Sequence, residues 1–388
     1  MPWKEINVMD QRTEFILRVF KKNEPFRSVC QDFGISSKTG YKWLNRFINE
    51  GIDGLCDRSR RPHHHSRQLS EDIICRLIKF KTSHSTWGPK KIVDLYERQY
   101  GKAPSISSVH RVFRKAGLTV KRRRRLIKTN QRLVNRVLSM SPNDVWTVDF
   151  KGWWFTQDHQ RCEPLTVRDD FSRYVLTAVP LQNSRTESVR SEFEKLFKIY
   201  GMPKVIRSDN GVPFASVRAV FGLSRLSVWF IALGIQLDRI KPGCPYENGG
   251  HERMHRDIRF EVQGVTKGDL NHQAASLEVW RRDFNEKRPH EALNMKTPAE
   301  VYKKSTLKYK GTPDKIEYPD NFIERKVNRT GQITINHTRF YISSALSGWT
   351  VGLDPKNSDE FDVHFTNLSL GSINLETCSF APNPIATQ

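Results

Sequence analysis

The sequence predicts a multidomain protein with an all-α amino-terminal third, an α/β central domain and a small all-β carboxy-terminal domain. Two helix-turn-helix patterns fill the first third. Residues 142–302 contain both strand and helix patterns. Short β-like runs separated by turn residues occupy residues 320–381. With 388 residues, 37% of them hydrophobic, the chain is long enough for several packed cores.

The first predicted domain is residues 1–56, an all-α helix-turn-helix domain. A helix ends near Gly34, which forms the turn, and a second helix capped by Ser36 or Ser37 runs to Glu50. The apolar face predicted for this second helix is Trp43, Leu44, Phe47 and Ile48. Three polar residues at helical spacing could enter a DNA major groove. They are Lys38, Lys42 and Asn45.

A basic linker, residues 57–69, follows the first domain. The segment Asp57–Arg67 is too poor in apolar residues to fold and is typical of a basic arm that lies in a DNA minor groove, with contacts expected at Ser59 and Arg61. A passive linker is the alternative. The histidine cluster His63–His65 has no paired cysteines, so a zinc site is disfavoured.

The second predicted helix-turn-helix domain is residues 70–120, with a recognition helix at Ser107–Ala116. Four residues of this helix are predicted to be buried: Val109, Val112, Phe113 and Ala116. Four others face outward and are candidates for DNA contact: His110, Arg111, Arg114 and Lys115. Amphipathic helices with a basic face are common, so each pattern alone is weak evidence and the pair in succession is stronger.

Residues 121–141 form a second basic linker, which begins with five consecutive cations. A nuclear-localisation tract is the usual alternative for such a run, but between two DNA-associated domains phosphate contact is favoured. The five predicted contacts are Lys121, Arg122, Arg123, Arg124 and Arg125.

The central domain contains two aspartates at strand ends. Residues 145–150 predict a strand whose Trp146 and Val148 face one way, so that Asp149 points away from the apolar face. Asp209 follows a second short strand that begins at Val205, immediately before an Asn-Gly turn. Strand ends are where α/β folds place their chemistry, so both carboxylates are candidate site residues.

A third carboxylate, Glu252, lies in a stretch free of proline and glycine that predicts a helix. Arg256 and Arg259 fall on the same helical face, where they could grip a phosphodiester backbone. Met254 and Ile258 form the opposite, buried face. Three converging carboxylates repel one another unless a cation neutralises them, and oxygen ligands select Mg²⁺ or Mn²⁺.

The ordered motifs of the central domain resemble those of the DDE transposases and retroviral integrases, most closely the bacterial insertion-sequence branch. The motifs are WTVDF, DDFSRYVL, RSDNG, ENGGHER and FNEKRPHEALNMKTPAEVY, spread over about 160 residues. The resemblance assigns Asp149, Asp209 and Glu252 as catalytic, metal-binding residues. The interval from Asp209 to Glu252, 252 − 209 = 43 positions, is longer than in retroviral members. Glu247 is therefore a rival third ligand, disfavoured because it precedes an Asn-Gly-Gly loop.

This resemblance implies an RNase H-like α/β catalytic core at residues 142–302 and a transposase that uses two Mg²⁺ or Mn²⁺ ions. Such an enzyme binds the terminal inverted repeats of an insertion sequence, hydrolyses a phosphodiester to expose a 3′-hydroxyl, and joins it to target DNA by transesterification. Pairing two ends implies a dimer or higher oligomer on double-stranded DNA. The alternatives are a non-catalytic DNA-binding regulator and a nuclease that cuts without joining.

Two other acidic residues, Asp169 and Asp170, lie between the first two site positions. A hairpin turn between strands is the favoured interpretation for them. After a linker at residues 303–319, the short runs of residues 320–381 predict an SH3-like β-barrel, whose role is open between DNA contact and subunit bridging.

Composition supports a nucleic-acid partner. The formal net charge of +22 implies a polyanionic ligand, and no apolar run or signal peptide favours a membrane. Six cysteines without a C-x-x-C pair predict reduced thiols. We therefore expect a cytoplasmic, nucleoid-associated protein.

Overall fold

The structure is a computed structural model. It describes residues 7–59, 68–119, 137–181, 183, 185–216, 222–241, 245–264 and 268–383. The chain divides into two compact units, residues 1–70 and 71–388. Among the helices in the described ranges, none is long and apolar enough to cross a bilayer.

The first unit is a bundle of three helices and a 3₁₀ turn. Its elements are α1 (Val8–Lys21), α2 (Phe26–Asp32), α3 (Ser37–Glu50) and the turn Gly51–Leu55. Gly34 takes a left-handed φ of 63° between α2 and α3, and the Ser36 hydroxyl caps α3 by accepting from the Thr39 amide. The helix-turn-helix prediction for this segment is confirmed. Ile48 is 62% exposed, however, so its predicted burial is wrong.

The reason for this difference is the helical phase of α3. Gly40 and Trp43 are buried, and Leu44 and Phe47 are packed against the core that contains Phe15, so the buried stripe follows the i, i+3, i+4, i+7 pattern. Ile48 lies one residue beyond that stripe and turns to solvent. At Gly40 the α3 backbone lies so close to α2 that an added Cβ would stand 2.6 Å from the Cys30 sulphur.

The second unit begins with a second three-helix module, formed by α4 (Glu71–Ser83), α5 (Pro89–Tyr100) and α6 (Ile106–Lys115). A helix is confirmed where the sequence predicts the recognition helix, as α6, with Val109 and Phe113 fully buried. Ala116 is exposed because it is the C-cap of α6, so its predicted burial is wrong.

This module packs against the central domain in the same compact unit. The elements of that domain are β1 (Val145–Phe150), β2 (Trp154–Phe155), β3 (Arg161–Asp169), β4 (Val175–Leu181), α7 (Thr186–Tyr200), β5 (Val205–Ser208), α8 (Arg225–Ala232), β6 (Gln236–Arg239), α9 (Gly249–Ile258), α10 (Leu270–Glu286) and α11 (Pro298–Val301). A π-helical turn, Arg259–Gln263, extends α9. Arg98 on α5 bonds the Met295 carbonyl at 2.9 Å and pairs with Glu300, which fixes the module to the segment after α10.

The central sheet is mixed. β3 pairs antiparallel with β1 and β4, whereas β5 runs parallel to both β1 and β6, and β2 pairs with the start of β3. One face packs on α7 and α8 through Trp146, Val148 and Val167. The other face meets α9 and α10, so β1 directs its alternate residues Thr147 and Asp149 toward α9.

The carboxy-terminal domain contains a five-stranded antiparallel sheet and a separate hairpin. The strands are β7 (Ile323–Lys326), β8 (Gln332–Ile335), β9 (Thr338–Tyr341), β10 (Thr350–Pro355), β11 (Glu360–Phe365), β12 (Leu368–Asn374) and β13 (Ser379–Pro382). The sheet has the order β13-β12-β11-β10-β7 and β8 pairs with β9. A small β domain is confirmed. The hairpin lies beside both edge strands, β7 and β13, without joining their hydrogen-bonded ladder, so an SH3-like barrel stays a prediction.

Candidate active site

Asp149 and Asp209 come from neighbouring parallel strands. β1 and β5 pair with Val145 beside Val205 and Thr147 beside Arg207. Continuing that register by two residues places Asp149 beside Asp209, at a strand separation of about 4.8 Å. Asp149 lies within β1 and Asp209 directly follows β5. The fold therefore brings the first two predicted carboxylates to one edge of the sheet.

Glu252 lies in the first turn of α9, which packs on this sheet face through the buried residues Met254 and Ile258. The predicted helix around Glu252 is confirmed and begins at Gly249. The rival residue Glu247 lies in the preceding 3₁₀ turn, where its carboxylate accepts a hydrogen bond from the Lys241 amide at 3.0 Å.

The electrostatics of Asp149 reflect the two other carboxylates. Burial, and then the negative charges of Asp209 and Glu252, raise the pKa of Asp149 to about 7. The structure thus places Asp209 and Glu252 close enough to Asp149 for their charges to disfavour its ionised form.

The donor set fits a hard divalent cation because it consists of carboxylate oxygens that repel one another without one. Within the residues that the structure describes, no three His, Cys, Asp or Glu side chains converge tightly enough to hold an ion. Asp209 instead turns one oxygen to the Gly211 amide at 3.1 Å. Both Asp209 and Glu252 are exposed side chains.

Two buried histidines on α9 join the helix to the sheet beneath it. The Thr166 hydroxyl lies 2.7 Å from Nε2 of His251 and 2.7 Å from Nε2 of His255, and it donates to the Asp149 carbonyl at 2.8 Å. Thr147 lies 2.9 Å from Nδ1 of His251. Burial lowers the pKa of His255 to about 3 and that of His251 well below its usual value, so both rings are neutral at pH 7.

Three cations, Lys151, Arg256 and Arg259, lie on or beside the elements that carry Asp149 and Glu252. Arg256 and Arg259 are exposed at the end of α9 and the start of the π-helical turn. Burial and the charge of Arg259 lower the pKa of Lys151, which places Arg259 near Lys151, two residues after Asp149. This arrangement can bind a phosphodiester beside the carboxylates.

Asp169 and Asp170 hold the β3–β4 turn and its surroundings. Asp169 accepts from the amides of Asn143 and Ser172 at 2.7 and 2.8 Å. Asp170 pairs with the buried Arg168 at 3.0 Å and Arg207 at 3.2 Å. Both acids thus have structural partners, in agreement with the hairpin turn that the sequence predicts.

The predicted DNA-contacting residues of the two helical modules are exposed on their recognition helices. On α3 these are Lys38, Lys42 and Asn45, and on α6 they are His110, Arg111, Arg114 and Lys115. His110 lines a groove of about 480 Å³ with Lys90 and Glu291, at the junction of the second module and the central domain.

The predicted linker contacts fall mostly outside the described residues: Arg61, Lys121, Arg122, Arg123, Arg124 and Arg125. Ser59 lies within the described residues and carries no charge, so the contact predicted there stays a prediction of a hydroxyl contact. The neighbouring Arg58 carries the charge and pairs with Glu50.

Sequence reasoning missed the residues that connect the site internally. Strand alternation could have identified Thr147, because Thr147 and Asp149 lie on the same face of β1. His251 and His255 stand at i, i+4 on the Glu252 helix, a spacing that puts two imidazoles on one face. Their burial, and the approach of Thr166 from β3, depend on how the helix packs on the sheet.

Family models match segments of the chain between residues 11 and 298. Residues 140–245 and 233–298 match the Integrase core domain family. Residues 11–63 match a Helix-turn-helix domain family, and residues 39–113 match a Homeodomain-like domain family.

Two curated relatives come from bacterial insertion elements. An uncharacterized 31.7 kDa protein of insertion element IS407 from Burkholderia multivorans is 30% identical over 246 residues, which are 63% of this chain and 84% of the relative. An uncharacterized 39.2 kDa protein of insertion element IS476 from Xanthomonas euvesicatoria is 26% identical over 234 residues, 60% of this chain and 64% of the relative.

Solved structures similar to this chain include two viral integrase cores. One is the catalytic core domain of HTLV-2 integrase in complex with magnesium. The match covers 43% of this chain and 100% of the integrase chain, at 16% sequence identity and a TM-score of 0.34. The other is the catalytic core domain of BIV integrase. The match covers 41% of this chain and 93% of the integrase chain, at 22% sequence identity and a TM-score of 0.32. These scores are too low to bear on function.

Proposed function

The chain belongs to the integrase-core family of bacterial insertion-element proteins, and we propose that it is a transposase that cleaves the ends of its element and joins them to target DNA. The observation that supports the proposal is that β1, the end of β5 and the first turn of α9 carry Asp149, Asp209 and Glu252, and that burial and the charges of the other two raise the pKa of Asp149 to about 7. A DNA-binding regulator has no use for such a costly arrangement.

Asp149, Asp209 and Glu252 would hold Mg²⁺ or Mn²⁺, as two ions in the proposed reaction. When bound, the ions supply Lewis-acid activation of the attacking oxygen and charge stabilisation of the leaving oxygen. Because Asp209 and Glu252 are exposed, a cation held by them would be accessible to a DNA phosphate.

The chain's own side chains position the DNA. Lys151, Arg256 and Arg259 would bind the phosphates that flank the scissile bond, because all three belong to elements that carry or adjoin the carboxylates. Hydrolysis at each end exposes a 3′-hydroxyl, which then attacks a target phosphodiester in line. No covalent bond between protein and DNA is required.

The helical modules would recognise the terminal inverted repeats through α3 and α6, whose cationic residues are exposed. Because an element has two ends, the working form is proposed to be a dimer or higher oligomer that pairs them. The carboxy-terminal β domain, proposed to be an SH3-like barrel, would assist in DNA contact or subunit bridging.

The test is a strand-transfer assay with linear DNA that bears the element's own ends, with and without Mg²⁺ or Mn²⁺. Wild type is expected to give metal-dependent joined products, and Asp149→Asn, Asp209→Asn and Glu252→Gln are each expected to abolish them. Glu247→Gln is the matched control and is expected to keep activity, because Glu247 is bonded to the Lys241 amide.

Two outcomes would contradict the proposal. DNA binding without metal-dependent cleavage would favour a regulator, and free nicked ends without joined products would favour a nuclease. Loss of joining in Glu247→Gln with retention in Glu252→Gln would reassign the third carboxylate.

A further inference from the structure

The carboxylates are carried by three separate elements, and one buried hydroxyl joins two of them. Thr166 on β3 lies opposite Asp149 in the sheet register and donates its hydroxyl proton to the Asp149 carbonyl at 2.8 Å. The same oxygen meets both α9 histidines at 2.7 Å. A path of two hydrogen bonds therefore runs from His251, the neighbour of Glu252, to Asp149.

The proton count of this hydroxyl fixes the direction of each bond. A threonine hydroxyl has one proton and two lone pairs. Because a carbonyl oxygen can only accept, the proton of Thr166 goes to Asp149, and both histidine Nε2 atoms must donate to Thr166. All three bonds can form together only if Nε2 of His251 and Nε2 of His255 each carry a proton.

We propose that Thr147, Thr166, His251 and His255 form a positioning network that holds the helix of Glu252 in register with the strand of Asp149. Thr147 extends the network from β1 by its 2.9 Å contact with Nδ1 of His251. Both threonines and His251 have no exposed surface, and His255 is 9% exposed. Buried polar groups of this kind fix one geometry because each unmade bond is costly.

The network acts through other residues rather than on DNA. His255 contacts Asp149 itself, since its Nδ1 lies 3.8 Å from the Asp149 carboxylate. A shift of α9 would therefore separate Glu252 from Asp149, and misplacement by about 1 Å can lower a rate about a hundredfold. This inference rests on the proposed joining reaction. One of its two tests measures joining, and the other needs no activity.

The first variant is Thr166→Val, which keeps the side-chain shape and removes the hydroxyl. We expect kcat for joining to fall by about tenfold to a hundredfold while the affinity for end DNA changes by less than about twofold. Thr166→Ser restores a hydroxyl and is expected to recover most of the rate. The matched control is Thr177→Val, which removes another buried hydroxyl of the same sheet, one that bonds Glu192 at 3.0 Å.

A merely structural role would lower stability in Thr166→Val and Thr177→Val alike without a selective loss of kcat. The proposal would be overturned if Thr166→Val joined DNA at the wild-type rate, at a temperature where the variant and wild type are both folded. Equal losses of kcat in the two valine variants, or no recovery in Thr166→Ser, would also overturn it.

A second measurement does not need activity. In metal-free full-length protein labelled with ¹⁵N-histidine, NMR is expected to show protonated Nε2 for both His251 and His255, assigned by His251→Gln and His255→Gln. An unprotonated Nε2 on either ring would overturn the network whether or not wild type joins DNA. If wild type fails to join but both Nε2 atoms are protonated, the proposed function fails and the network stands.

Discussion

Asp149 lies on β1 and Asp209 directly follows β5, the parallel strand paired with β1, so that the register of the two strands, continued by two residues, sets the two aspartates side by side. Burial, and then the negative charge of Asp209, raise the pKa of Asp149 to about 7.

The metal-free protein is therefore expected to lose stability as pH rises through about 7. Asp149 has a folded pKa of about 7, above the ordinary value of 3.8, so the folded state binds its proton more tightly. Its contribution to the free energy of unfolding is present below pH 3.8 and lost as pH rises through 7. Urea unfolding at pH 5.5 and pH 8 measures the loss, on the order of 2 kcal/mol.

The control for this prediction is Asp149→Asn, which cannot ionise and should unfold with less pH dependence than wild type. Asp209→Asn should give an intermediate result because one repelling charge is gone. Identical pH dependence in wild type and Asp149→Asn would contradict the electrostatic account.

The two glycines at the start of α9 are expected to differ in their tolerance of a methyl group. A Cβ at Gly250 would stand 2.5 Å from Nη2 of Arg168, a buried side chain held by Asp170, whereas a Cβ at Gly249 meets nothing within 4 Å. Gly250→Ala should cost about 1–3 kcal/mol of stability and reduce joining. Gly249→Ala should be neutral or slightly stabilising. Equal effects of the two changes on the unfolding midpoint would argue against this packing.

Arg288 is expected to be essential for stability because it neutralises two acids beyond Glu252 along the helix. Its buried guanidinium pairs with Asp257 at 3.0 Å and Glu261 at 3.3 Å. Arg288→Ala should cost about 3–5 kcal/mol, since it leaves partly buried carboxylates unpaired. The matched change Arg282→Ala breaks an exposed pair with Glu278 and should cost less than about 1 kcal/mol. Urea unfolding followed by tryptophan fluorescence compares them, and similar midpoints would refute the assignment.

Lys42 and Asn45 on α3 are expected to contribute to DNA binding in different ways. As a phosphate contact, Lys42 should carry part of the salt dependence, and Lys42→Ala should reduce the slope of log affinity against log salt by about 0.9. As a base contact, Asn45→Ala should leave the slope unchanged and lower the preference for element ends over random DNA by about tenfold. Fluorescence anisotropy at several salt concentrations measures both, and an unchanged slope in Lys42→Ala would remove the phosphate contact.

The order and type of the elements around the site could be predicted from the sequence because their patterns are local. Alternation in β1 directs Asp149 away from Trp146, and β5 ends at Ser208, just before Asp209 and the Asn-Gly turn. The face of α9 with Met254 and Ile258 follows from helical spacing. Each of these depends on neighbours within a few residues.

Other features depend on contacts between distant parts of the chain. Local spacing favours Ile48 as a buried residue, but the packing of α3 against Phe15 selects a stripe one residue away. The hydroxyl of Thr166 meets histidines 85 and 89 positions away, and no local pattern marks that approach. The hydrogen bond from Arg98 to the Met295 carbonyl joins residues 197 positions apart, and no local sequence pattern predicts it.

The measurement that tests the central claim most directly is Mn²⁺ binding by the full-length protein, followed by electron paramagnetic resonance. The account predicts that wild type and Glu247→Gln bind Mn²⁺ with similar affinity, and that Asp149→Asn, Asp209→Asn and Glu252→Gln each weaken binding strongly. Unchanged Mn²⁺ affinity in Asp149→Asn or Asp209→Asn would contradict a shared cation site at the sheet edge.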